Sequence, residues 1–413
     1  MVRIIKKNQA ILVLGAGRDQ KYLIKTAKSL GLFVHCVDKQ KNPEGSKYAD
    51  KFYNISSRNI IALKELIDRL KNTQNPICGV ITMGSDIPHI VAELSVHAKT
   101  PSITMDAAKS AKNKLLMKEK FIIGGVATPK FSAVSSYIEL KSVLKSYNNS
   151  EIVLKPIDQA GSRGVSLTTA SSENLKDLYT LASLCSNEKY VLVEEFISGP
   201  QISTEHIIRK GQIFTPGFAD RNYDQLRDFL PQIMENGGWV PSIHLDKKEL
   251  IEQEILKAAN ALDLDNCIVK GDVVLKDGIP MVIEIAARLS GGDFSESLVP
   301  LGTGVNYVEA ALDLCLGREP NIESLIETKH NTIANRYFFA EKGRIKRIKI
   351  KSDLTNLVWL EKIEFWIKPG DLIENIQSHG QRSGVFVVSG SDRKDVSEKI
   401  KHIYDQIEFE YEG

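Results

Sequence analysis

No run in this sequence approaches the roughly 20 apolar residues that a membrane-spanning helix needs. The apolar stretch near the start, Ala10–Leu14, is also too short for the core of a secretion signal. Charge of one sign is equally scarce. Lys and Arg number 54 against 52 Asp and Glu, a net charge of +2. No basic face for nucleic acid and no charged tail is therefore expected. The five cysteines, Cys36, Cys78, Cys185, Cys267 and Cys315, are scattered and form no C-x-x-C pair. Cys36, Cys78 and Cys267 sit in or beside apolar runs, which reads as buried free thiols in a reducing compartment. There is no G-x-x-x-x-G-K-[ST] phosphate loop, and no Ser-His-Asp or Cys-His nucleophile is evident. These absences leave a soluble, cytoplasmic protein that works on small molecules without nucleic acid or membrane.

What is present is ordinary globular material: 42% hydrophobic and 26% charged over 413 residues, enough for two or three domains. The first third alternates. Ala10–Leu14 reads as a buried strand, residues 20–30 as a helix ended by Gly31, and residues 32–37 as a strand ending in Asp38. Residues 59–70 follow as a helix, 77–82 as a strand and 87–98 as a helix. That order predicts an open, doubly wound Rossmann-like sheet. Gly15-x-Gly17 after the first strand, with Asp38 twenty-one residues beyond Gly17, is similar to a dinucleotide fingerprint. The third glycine of that pattern is Gln20, too large for close helix–strand packing. An NAD-dependent oxidoreductase is thus a rival reading. The plainer one is a Rossmann-like domain that packs or binds another ligand.

In the middle, residues 106–120 read as one lysine-rich helix with most of its lysines solvated; Lys114 lies within it. Residues 151–156 form a strand carrying Lys155. Gln159–Gly164, a flexible loop containing Gly161, Ser162 and Gly164, follows, and residues 165–168 return as a strand. A lysine beside exposed backbone N–H groups can hold phosphates. Residues 190–197 are the next strong strand, containing Glu194, Glu195, Phe196 and Ile197, and end at Ser198-Gly199-Pro200. A free strand end of this kind can read the edge of a base. Residues 202–208 continue as a strand carrying Glu205.

The chemical centre is residues 268–293, IVKGDVVLKDGIPMVIEIAARLSGGD. Two apolar runs flank Lys276-Asp277-Gly278, the pattern of a β-hairpin. Each arm carries one acid, Asp272 and Glu284. If both face the same side, their carboxylates can share a divalent cation, and Mg²⁺ suits two carboxylates plus substrate phosphates. Arg288 and Gly291-Gly292 follow, a planar cation and two positions of close backbone approach. A solvated edge hairpin is the alternative reading of this stretch alone.

Taken in order, Lys114, Lys155, the glycine loop, VEEFI, Asp272, Glu284 and Arg288 resemble the ATP-grasp superfamily. The likeness covers essentially the whole chain and is greatest to carboxylate–amine ligases related to biotin carboxylase, glycinamide ribonucleotide synthetase and the L-amino-acid ligases. It implies a Rossmann-like domain over 1–105, an ATP-grasp domain over 106–320 and a small β-rich subdomain over 321–413. The grasp domain would divide into a small ATP lobe (106–195) and a metal and substrate lobe (196–320), giving an α/β chain with α+β lobes. It places Lys114 and Lys155 on the phosphates of ATP, with Gly161, Ser162 and Gly164 closing over them. Glu194, Glu195, Phe196 and Ile197 would form the hinge, with the backbone of Glu195 and Ile197 against adenine and Gln201 at the ribose. Asp272 and Glu284 would hold Mg²⁺, or Mn²⁺ in its place. Arg288, with Lys155, would stabilise the reacting phosphoryl group.

The implied activity is ATP-dependent: a small carboxylate becomes an acyl phosphate, an amine or similar nucleophile displaces phosphate, and ADP is released. Related ligases are often dimers, so a homodimer is the assembly the resemblance allows. Three positions depart from the pattern. Ala286 stands where E-x-N-x-R has its amide, Asp272 where Glu is common, and Gln201 where a ribose-binding Glu is frequent. Ala286 weakens a second metal site and favours the alternative of an ATP-binding protein without catalysis. Arg221, between hinge and hairpin, is read as either a ligand of a substrate carboxylate or a solvated arginine. His379 and Arg382 are read as turn residues or as the border of the substrate pocket. The last ninety residues are expected to form strands at 332–339, 343–350, 357–367 and 384–388 and a helix at 393–404.

Overall fold

The computed structural model describes residues 9–148 and 150–412. Ala10–Leu14 is fully buried because every residue in it is apolar and both sheet faces are covered. It pairs in parallel with Phe33–Val37 and Ile77–Ile81, and Lys51–Tyr53 completes a four-stranded parallel sheet. Helices Arg18–Ser29, Ile60–Leu70 and Pro88–Ala98 connect the strands, as the alternation predicted.

The dinucleotide reading fails at the first turn. The Gln20 amide oxygen accepts the Gly17 N–H at 3.0 Å, and its amide nitrogen donates to the Met83 carbonyl. A Cβ on Gly15 would stand 2.9 Å from the same side chain. Asp38, expected to meet a ribose, accepts the N–H groups of Ala16 and Gln40 at 3.0 and 2.9 Å. The N–H groups of Gly15, Ala16 and Gly17 are already bonded within the protein.

The lysine-rich segment is two helices, Met105–Lys112 and Lys114–Ile123, and not one. Asn113 breaks it: extended at φ −97°, its side chain accepts the N–H groups of Leu115 and Leu116 and restarts the helix as an N-cap. Lys118 on the second helix is 1% exposed, against the expectation of a solvated lysine.

Beyond it lies a four-stranded antiparallel sheet in the order Phe131–Val134, Val191–Glu195, Glu151–Pro156, Ser166–Thr169. The larger sheet has eight strands. It runs from Ile279–Ala286 through Cys267–Lys276, Gln201–Arg209, Gln212–Arg221 and Gly238–Val240 to Thr332–Phe338, Gly384–Gly390 and Leu360–Phe365. The residues after 320 therefore do not form a sheet of their own alone. Three of their strands extend the sheet that carries the two acids, and a separate three-stranded sheet holds Leu372–Ile373, Gly343–Ile350 and Ile407–Tyr411. The last of these was not expected, and the helix before it runs further, Arg393–Gln406. Among the described residues no helix is long and apolar enough to cross a membrane, and the five cysteines are free thiols.

Candidate active site

A cleft lies between the four-stranded sheet and the eight-stranded one. Its floor is the hairpin. Asp272 pairs directly with Glu284, so both side chains leave the same face. A bulge follows at once: Val273 pairs with Val282, leaving Ile283 as an extra residue on the Glu284 arm. Both acids line the cleft.

Each acid is met by cations. Asp272, its side chain 9% exposed, accepts Arg221 Nη1 at 2.9 Å and the Lys270 ammonium. Glu284 lies 3.1 Å from Lys114 Nζ. Burial alone would raise the Glu284 carboxyl, but Lys114, then Lys155 and Lys270, hold it well below the usual carboxylate range. Burial works against the Lys114 ammonium, yet Glu284 and Asp86 keep it above its ordinary value. Lys114 also donates to the Gln159 carbonyl at 2.8 Å, at the start of the glycine loop.

Lys155 reaches the cleft from the opposite wall and pairs with Glu194 at 2.6 Å. Glu194 is shared, because Lys118 stands 3.2 Å from its other oxygen. Lys118 donates to Thr128 Oγ1 at 2.6 Å and to the Val282 carbonyl at 3.4 Å, beside the bulge. Burial pushes its ammonium down to about 8.

The glycine loop needs its small residues. Gly161, Ser162 and Gly164 have φ of +67°, +59° and +70°. Gly161 and Ser162 line the cleft; Gly164 faces away, and a Cβ there would meet Cys185 at 2.8 Å. His379 grips the loop from the far end of the chain. Its N–H donates to the Gly161 carbonyl, and its Nε2 bonds Ser162 Oγ, both at 3.2 Å. Arg382 lies 3.6 Å over the Tyr337 ring and donates to the Glu235 carbonyl at 2.6 Å. Arg221 is no solvated arginine: it bridges Asp272 and Glu235. Burial would raise Glu235, but Arg221 and then Arg382 pull it down to about 2.

At the hinge Glu194, Glu195, Phe196, Ile197 and Gln201 all line the cleft. The Glu195 and Phe196 N–H groups are spent on the Lys130 and Glu151 carbonyls, at 2.9 and 3.0 Å. The Glu195 carboxylate pairs with Lys276 at 2.9 Å.

Arg288 is the exception. It does not line this cleft but a second cavity, with Thr82, Ser102 and Leu289. The strand ends at Ala286, and the chain then folds back, the Arg288 N–H donating to the Ala286 carbonyl at 2.9 Å. Its Nη1 donates to the Leu289 carbonyl at 3.2 Å, and its Nε is buried without a hydrogen-bond partner among the described residues. Sequence reasoning also passed over Lys118 and Lys270. The spacing carried a signal for both: Lys118 is four residues from Lys114 on a helix, and Lys270 two residues from Asp272 on a strand.

A family model described as an ATP-grasp domain matches residues 111–292. Another, L-amino acid ligase C-terminal domain 2, matches residues 336–412. Residues 111–292 thus carry an ATP-grasp domain. The ATP-grasp match spans both walls of the cleft, from just before Lys114 to the glycines beyond Arg288. Dapdiamide A synthase from Enterobacter agglomerans is 25% identical over 297 residues, 70% of this chain and 69% of that protein. The L-amino acid ligase from Bacillus licheniformis superposes with a TM-score of 0.83 at 17% identity, covering 99% of this chain and 100% of the other. Phosphoribosylglycinamide synthetase from Anaerococcus prevotii gives 0.73 at 22%, covering 98% and 100%.

ATP-grasp proteins use ATP with a divalent metal. Among the described residues no three acidic, His or Cys groups converge to hold an ion by themselves. The two facing carboxylates are hard oxygen donors, and that set fits Mg²⁺, which draws its remaining ligands from phosphate and water.

Proposed function

We propose that this ATP-grasp chain is an ATP- and Mg²⁺-dependent carboxylate–amine ligase. The observation that carries it is the direct pairing of Asp272 with Glu284 on a cleft also lined by Lys114, Lys155 and the glycine loop. Its likeness to dapdiamide A synthase and to an L-amino acid ligase supports an amide-forming activity with small-molecule substrates.

In this reading a substrate carboxylate oxygen attacks the γ-phosphorus of ATP. The bond to the β,γ-bridging oxygen breaks, and ADP leaves with that electron pair. The amine then attacks the acyl carbon, loses a proton, and expels inorganic phosphate. A Mg²⁺ ion held by Asp272 and Glu284 would neutralise charge on the phosphate oxygens. Lys114 and Lys155 hold the phosphates by charge, Lys114 exchanging Glu284 for phosphate oxygens and Lys155 keeping Glu194. Glu194 and Lys118 keep the Lys155 ammonium aimed into the cleft. Gly161 and Ser162 cover the phosphates and exclude water, with His379 fixing that loop. The hinge from Glu195 to Ile197 takes the adenine, and Gln201 the ribose. Catalysis here is alignment and charge neutralisation, with no covalent enzyme intermediate. Arg288 has no step in this arrangement; reaching the phosphoryl group would require it to leave the second cavity.

Phosphate release, screened over amino acids and small carboxylates singly and in pairs, tests the reading. Sustained release of phosphate is expected only when both a carboxylate and an amine are supplied. Lys155→Ala and Glu284→Ala are each expected to lose it at least about a hundredfold while keeping the wild-type circular dichroism spectrum. Full activity in either variant removes the assignment.

A further inference from the structure

The hairpin register singles out a residue to which neither the resemblance nor the mechanism above gives a role. Lys270 stands directly opposite Ala286, two pairs from Asp272 and Glu284 on the side away from the bulge. Lys270 lies two residues before Asp272 on the same strand, so the two side chains share a face. Its ammonium donates to Asp272 Oδ2, and its side chain is 15% exposed. Its charge also acts on Glu284 and on the buried Glu205. The two acids thus have three lysines around them, Lys114, Lys155 and Lys270.

Ala286 carries no atom that can bind a metal ion. A second cation near the carboxylate pair would meet a methyl group on one strand and an ammonium on the other. An ammonium opposite Ala286 repels a second divalent ion placed there, and it neutralises the charge that the second ion would. Arg221, the other cation on Asp272, is already committed to Glu235.

We propose that Lys270 takes the place of a second divalent cation, so that this site binds nucleotide with a single metal ion and needs the Lys270 charge to do so. The inference rests on the ligase reading for its nucleotide and goes beyond it in stating the metal count and the residue that sets it. Lys270 acts as a positioning residue through Asp272: it holds that carboxylate and removes the excess negative charge against which the triphosphate must bind.

Counting ions tests this without turnover. Mn²⁺ is titrated into wild-type protein saturated with a non-hydrolysable ATP analogue, and bound ions are read by electron paramagnetic resonance. One Mn²⁺ per chain is expected. Lys270→Met is expected to weaken analogue binding about ten- to a hundredfold in calorimetry, and Lys270→Arg to restore most of it. In Lys270→Met/Ala286→Asn, with an amide opposite an apolar residue, a second Mn²⁺ is expected. Two ions in the wild type overturn the inference, as does a Lys270→Met protein that binds the analogue as tightly as wild type. Neither result touches the ligase reading. A wild type that binds no analogue, with or without metal, removes that reading and this one together.

Discussion

Glu205 shows how far one side chain can depart from its exposed behaviour. It is 0% exposed, accepts Tyr307 OH at 2.7 Å and is also bonded by Ser290 Oγ. Burial pushes its carboxyl up from 4.5 to about 7, although both hydroxyls favour the charged form. Below pH 4.5 the folded and unfolded chains both keep the proton. As pH rises from there toward 7, the unfolded chain releases it first, and the folded state loses stability on the order of 3 kcal/mol. Glu205→Gln removes that loss. The melting temperature of the variant is expected to gain on wild type between about pH 5 and about pH 8. A gap that does not change with pH would show that Glu205 titrates normally. Nothing in the sequence marked this residue beyond an acid on an apolar strand, because its burial depends on Ser290 and Tyr307, far along the chain. Lys118 did carry a signal, its spacing from Lys114, but a helix rich in lysine looks solvated until Glu194 and Thr128 are known to lie behind it.

At the scale of elements, most of the architecture was legible. The strands around Asp272 and Glu284 follow from two apolar runs and an Asp-Gly turn, and Asp277 and Gly278 both take positive φ there, +51° and +79°. The bulge at Ile283 was not legible, since no local pattern announces where a ladder slips. The break at Asn113 was legible in principle, a capping residue between two helical runs. The hinge has a comparable local cause. A Cβ on Gly199 would stand 2.2 Å from the Leu275 carbonyl oxygen, so the crossing from the small lobe onto the larger sheet requires glycine. Gly199→Ala is expected to lower stability by about 1–3 kcal/mol, read as a shift of the urea midpoint without a change of slope. It is also expected to raise KM for ATP, because the backbone it displaces lies between Ile197 and Gln201.

Across the whole molecule, the α/β class was readable from the alternation of strands and helices and from the sequence of motifs. The sheet connectivity was not. Thr332–Phe338 pairs with Gly238–Val240 through the register Trp239 to Ala334, joining segments almost a hundred residues apart. Long-range pairing of this kind has no periodicity of its own, so a proline at 320 looked like a boundary when the sheet runs straight across it. That continuity makes the catalytic half inseparable from the tail. A chain ended after residue 320 would leave Gly238–Val240 as a raw edge of unmet backbone donors and acceptors, with Trp239 uncovered beside it. Such an edge recruits other strands. The shortened protein is expected to elute as aggregates in size-exclusion chromatography; a well-behaved monomer would show that the edge closes on itself. Insertions, fusions and domain exchange will therefore succeed only where they leave those ninety residues attached to the sheet they complete.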